Sequence, residues 1–96
     1  MKLVLIAYYE GIDRDVMDLL DHAGVDSYTQ WTRVLGKGSH SGPHLGSHVW
    51  PKLNDVLAVA TDDETAAELM EGVRRLRQRL GQEGVKAFRI PLDEVT

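Results

Sequence analysis

Asp55-Val56-Leu57-Ala58-Val59-Ala60 is followed at once by Thr61-Asp62-Asp63-Glu64. The first six residues form an apolar, β-branched run of the length of one strand. The next four carry the spacing of a helix start, Thr at the cap and Glu three residues on. A helix follows, with Ala66, Leu69, Met70, Val73, Leu76 and Leu80 on one stripe. Its start is acidic (Asp62, Asp63, Glu64) and its end basic (Arg74, Arg75, Arg77, Arg79), which suits the helix dipole. Gly81 is placed to cap it, Val85 to Ile90 (VKAFRI) reads as another strand, and Pro91 ends that strand. The second half of the chain is therefore strand, helix, strand.

The first half has the same order. Lys2 to Tyr9 is a near-continuous apolar run, the signature of a central strand covered on both faces. Gly11 breaks it, and Asp13 stands as the N-cap. Val16, Leu19, Leu20 and Ala23 recur at helical spacing, opposite Asp15, Asp18 and Asp21, and Gly24 supplies the stop. The first helix is thus expected over Asp13 to Ala23. Ser27 to Leu35 is the second strand. Strict alternation gives it one face of Tyr28, Gln30, Thr32 and Val34 and another of Thr29, Trp31, Arg33 and Leu35, neither cleanly apolar.

Strand, helix, strand, strand, helix, strand defines an α+β, ferredoxin-like βαββαβ fold. Both helices cover one face of a four-stranded antiparallel sheet. The first and third strands are apolar on both faces, so the opposite face needs a cover of its own, and self-association is the simplest one.

The 96 residues make one domain, 1–96, with a long loop over 36–54. Hydrophobic residues are 43% and charged residues 27%, an ordered globular balance. The net charge of −4 gives no support to nucleic-acid binding. With no cysteine, disulfide, zinc-ribbon and thiol chemistry are excluded. The apolar run at Leu3 to Ala7 is too short for a membrane span, and no cleavage site follows it, so the expected compartment is the cytoplasm.

Gly36 to Asn54 carries no helical or strand period and holds four of the nine glycines. Long loops without structure of their own are usually functional, which makes this the first place to look for a site. Gly36-Lys37-Gly38 offers backbone N–H groups and one ammonium to an anion, without the longer spacing of a P-loop. Gly81, Gly84 and Lys86 offer a second such turn. His40, His44 and His48 stand four apart in the loop, a candidate imidazole cluster for a transition metal. Ser39, Ser41 and Ser47 lie near them, but no nucleophile–base–acid set is fixed in space, and no catalytic residue is assigned.

Thr32-Arg33-Val34-Leu35-Gly36-Lys37-Gly38 leading into a long loop resembles the PII-like signalling proteins, relatives of the PII nitrogen regulators that share a fold with the CutA proteins. So does Gly81 to Phe88 followed by Pro91-Leu92-Asp93-Glu94-Val95. The resemblance runs through the whole chain. It implies a homotrimer with nucleotides or other small anions in the clefts between subunits. It also implies that the loop after the second strand, the T-loop of that family, contacts a transporter, enzyme or regulator. Carried over by position, the ligand contacts are Gly36, Lys37, Gly38, Gly81, Gly84 and Lys86. Val85 stands before Lys86 where the PII turn reads Gly-Asp-Gly-Lys, and residues 36–54 hold no Tyr, so tyrosine modification is not expected. Two other readings use the same elements. A metal-responsive protein would load the loop histidines, and a dimeric α+β barrel enzyme would show a closed pocket with a buried His or Asp.

Overall fold

A computed structural model describes residues 1–37, 53–81 and 84–96. The elements are β1 (Lys2–Tyr9), a 3₁₀ turn (Glu10–Ile12), α1 (Asp13–His22), β2 (Thr29–Leu35), β3 (Leu53–Thr61), α2 (Asp63–Leu80) and β4 (Val85–Pro91). The four strands form one sheet in the order β2-β3-β1-β4, and every neighbouring pair is antiparallel. This is the ferredoxin-like arrangement expected from the element order.

Pleating sorts β1 into two rows. Val4, Ile6 and Tyr8 turn toward the helices and are buried, while Leu3, Leu5 and Ala7 lie on the other face and are half-buried. β3 repeats the pattern, with Leu57 and Val59 buried and Val56 and Ala58 half-buried. Val16 and Leu20 of α1, Ala66, Leu69, Val73 and Leu76 of α2, and Val85 of β4 complete the core. Each large aliphatic side chain buried there contributes about 1.5–3 kcal/mol. Gly72 lets the helices approach, since a Cβ there would lie 2.9 Å from the Leu19 side chain.

Local boundaries differ from the sequence expectation, each for a physical reason. Thr61 does not cap α2. It pairs with Lys2 in the sheet, and Asp62 is the cap, its carboxylate accepting from the Thr65 N–H at 2.7 Å. That bond holds the Asp62 carboxyl below its ordinary range. Asp13 is likewise inside its helix, because the 3₁₀ turn occupies the approach. Gly24 and Gly81 do end the helices, at φ +79° and +93°. β3 begins at Leu53, two residues before the expected strand, because Leu53 and Asn54 pair with Leu35 and Val34.

β2 departs from strict alternation. Trp31 pairs with Val56, but the next pair is Val34 with Asn54, so three steps along β2 match two along β3. The extra residue is a β-bulge. It puts Thr29, Trp31 and Val34 on one face instead of splitting Trp31 from Val34. That face is the helix-free one, where Leu3, Leu5, Ala7, Val56, Ala58, Phe88 and Ile90 also lie. In the single chain Trp31 is 51% and Phe88 47% exposed.

Candidate functional site

The C-terminal ends of β1 and β2 and the starts of β3 and β4 meet at one end of the sheet. Both glycine–lysine segments issue from that end. Gly36 and Lys37 follow β2 at one edge; Gly81, Gly84 and Lys86 flank the start of β4 at the other. β3 and β1 stand between them, so the edges are three strand spacings apart, about 14 Å. The backbone N–H groups of the two segments therefore cannot close on one phosphate within a single chain.

The Gly84–Lys86 segment is held from below. The Tyr9 N–H donates to the Gly84 carbonyl at 2.9 Å, tying the turn to the end of β1. Arg77 of α2 donates from Nη1 to the Val85 carbonyl at 2.7 Å, so one member of the basic run fixes the start of β4. Arg74 and Arg79 are engaged with Glu71 and Asp15, each at 3.0 Å, on the helix surface. Lys86 projects from the helix-free face, its Nζ 5.9 Å from the Phe88 ring centre.

The glycines differ in their reasons. At Gly81 the positive φ favours a residue without a side chain. At Gly36 a Cβ would stand 2.4 Å from the Asn54 Nδ2. At Gly84 a Cβ would meet only the Ile12 Cδ1, at 3.8 Å, an ordinary contact. Among the described residues, packing therefore does not call for glycine at 84.

A polar cluster that the sequence did not reveal lies beside the loop base. The Tyr8 hydroxyl donates to Asp13 Oδ1 at 2.5 Å and accepts from Gln30 Nε2 at 2.9 Å. Gln30 also lies 3.4 Å from Asp55 Oδ2, and the Arg33 N–H donates to Asp55 Oδ1 at 3.2 Å. Burial, then the Asp13 hydrogen bond and charge, push the Tyr8 phenol well above its ordinary value. The signal was available: Gln30 and Asp55 break otherwise apolar or β-forming runs, and the β2–β3 register makes them near neighbours.

Gly38, His40, His44 and His48 lie outside the described residues. Among the described residues, no three His, Asp or Glu side chains converge as metal ligands, and no helix is long and apolar enough to cross a membrane.

The family model described as "Nitrogen regulatory protein P-II" matches residues 1–96. No curated protein matches the chain. Among solved structures it is similar to CPII of Thiomonas intermedia K12 bound to ADP, AMP and acetate, at 25% identity and a TM-score of 0.72, covering 93% of this chain and 82% of that one. A second structure of CPII, a nitrogen regulatory PII-like protein bound to ADP, AMP and bicarbonate, is 27% identical with a TM-score of 0.68, covering 92% and 81%. A PII-like signalling protein of Thermus thermophilus shares the fold at 22% identity and a TM-score of 0.63, covering 92% and 82%.

Proposed function

Since the chain belongs to the nitrogen regulatory protein P-II family, we propose that it is a non-enzymatic, cytoplasmic sensor of an adenine nucleotide, ADP or AMP. It acts as a homotrimer, and its nucleotide site is completed by two subunits. Gly36, Lys37 and Gly38 of one subunit and Gly81, Gly84 and Lys86 of its neighbour supply backbone N–H groups and two ammonium groups to the phosphates. The segment 36–54 passes the bound state to a partner protein, a transporter or an enzyme.

The observation that carries this reading is the position of the two segments. They share one end of the sheet and stand at opposite edges of it, so a neighbouring subunit is needed to bring one against the other. The helix-free face supplies the means of assembly. It carries large apolar side chains on all four strands, Trp31, Val56, Leu5 and Phe88 among them, and a surface of that kind marks an interface. Gly84, which packing among the described residues does not require, fits a backbone that must come close to a ligand.

The mechanism is a shift of population. A nucleotide that contacts one arrangement of the loop base better than another biases the loop, by no more than its differential affinity for the two. Bicarbonate or acetate, small anions that accompany nucleotides in CPII, are the natural second ligands to test. Calorimetry with ADP, AMP and bicarbonate, on the wild type and on Lys37→Ala and Lys86→Ala, tests the reading. Binding of a nucleotide that either substitution weakens at least about ten-fold supports it, and a wild type that binds no anion refutes it.

A further inference from the structure

The bulge in β2 is built on an unfavourable residue. Arg33 has φ +58°, the only non-glycine with positive φ among the described residues. A left-handed backbone disfavours a residue with a side chain by roughly 5- to 30-fold. The compensation is specific: the Arg33 N–H donates to Asp55 Oδ1, and Asp55 is a buried carboxylate in the facing strand. The second oxygen of Asp55 faces the Gln30 amide, which also reaches Tyr8.

We propose that Asp55 is a positioning residue that selects the register of β2 by capturing the left-handed Arg33, and so fixes where the loop base leaves the sheet. The competing arrangement follows from the ladder. If regular pairing continued past Trp31 and Val56, Thr32 would face Asp55, Arg33 would face Asn54, and Val34 would face Leu53. Val34 would turn from the helix-free face to the helix side. Arg33 would land on the apolar face, and Gly36 and Lys37 would shift by one residue, about 3.3 Å, past the sheet end. Asp55 stabilises the bulged register because only there does its carboxylate meet the Arg33 N–H. The consequence for nucleotide binding rests on the site proposed above; the register itself does not.

The chain has no cysteine, so paired cysteines report the register cleanly. Directly opposed antiparallel residues have Cα atoms about 4.5–5.5 Å apart, within disulfide reach. Val34→Cys/Asn54→Cys reports the bulged register, and Val34→Cys/Leu53→Cys the regular one. In the otherwise wild-type chain the first pair is expected to oxidise about ten-fold faster or more. Asp55→Ala should reduce that preference about ten-fold, and adding Arg33→Gly should restore it, since glycine adopts the left-handed form freely. Should Asp55→Ala fail to fold, Arg33→Val with Asp55 intact makes the same test, because a β-branched residue is an outlier at this φ. A preference unchanged in Arg33→Val, or in a folded Asp55→Ala, overturns the register lock. ADP titration of Arg33→Val then tests the link to the site. A register shift with weaker ADP binding supports it, and a register shift with unchanged ADP affinity overturns the placement of the site at the loop base.

Discussion

Replacing Tyr8 by Phe removes one oxygen from the core and leaves its packing intact, which makes its effect calculable. The ring is buried, 1% exposed, and Phe fills the same space. What is lost is the bond to Asp13 at 2.5 Å and the acceptor for Gln30 at 2.9 Å. A hydrogen bond to a charged group contributes about 1.5–3 kcal/mol and a neutral one about 0.5–1.5 kcal/mol. Asp13 is only half-buried and Gln30 keeps Asp55 within reach, so part of the loss is recovered through water and the remaining partner. The expected net destabilisation at pH 7 is about 1.5–2.5 kcal/mol.

The pH dependence gives a second, independent number. The Tyr8 phenol is raised in the folded protein, by burial first and by Asp13 second, whereas an unfolded tyrosine ionises near pH 10. The contribution is therefore fully present below about pH 10 and is lost as pH rises above it, because the unfolded chain releases the proton first. Above that point the wild type should lose about 1.4 kcal/mol per pH unit relative to Tyr8→Phe. Urea unfolding of both proteins at pH 7, 10 and 11, at one subunit concentration, reads both quantities, and groups common to the two cancel in the difference. Equal stability at pH 7 together with parallel pH profiles would refute the hydrogen-bonding account of the cluster.

Phe88→Arg should give a folded chain that fails to trimerise, since Phe88 is largely exposed in the single chain and lies on the helix-free face; light scattering reports the mass, and a trimer of the variant refutes that interface. Gly84→Ala should leave thermal stability within about 0.5 kcal/mol of wild type while weakening ADP binding, measured by calorimetry on the same sample. Gly81→Ala should instead destabilise by about 1 kcal/mol or more, because its φ is +93°, and chemical denaturation distinguishes the two glycines.

The fold was legible because its signals are local. The apolar runs at 2–9 and 55–60, the helical stripes after Asp13 and after Thr61, and the stops at Gly24 and Gly81 each act over a few residues. Asp62 displaced Thr61 as the cap because Thr61 was claimed by Lys2 across the sheet, a partner that no local window contains. The bulge was hidden for the same reason. Thr32 and Arg33 read as ordinary alternating strand positions, and only the facing Asp55 makes the left-handed residue acceptable. Of the proposed site, Gly36, Lys37, Gly81, Gly84 and Lys86 were singled out by their glycine–lysine pattern and by resemblance. Their separation to opposite sheet edges came from the strand order. Tyr8 and Asp13, five residues apart in sequence, meet only because the 3₁₀ turn folds the chain back on β1.

The shared-site account makes its sharpest prediction for mixed trimers. Lys37→Ala and Lys86→Ala subunits are unfolded together in equal amounts and refolded as a mixture. A site built from Lys37 of one subunit and Lys86 of its neighbour is wild type wherever a Lys86→Ala subunit presents its loop base to the turn of a Lys37→Ala subunit. Random assembly makes that about one site in four. ADP binding by equilibrium dialysis should then show about one quarter of the sites at wild-type affinity, although neither parent protein has any. Mixed trimers that bind no better than the parents would contradict a site shared between subunits.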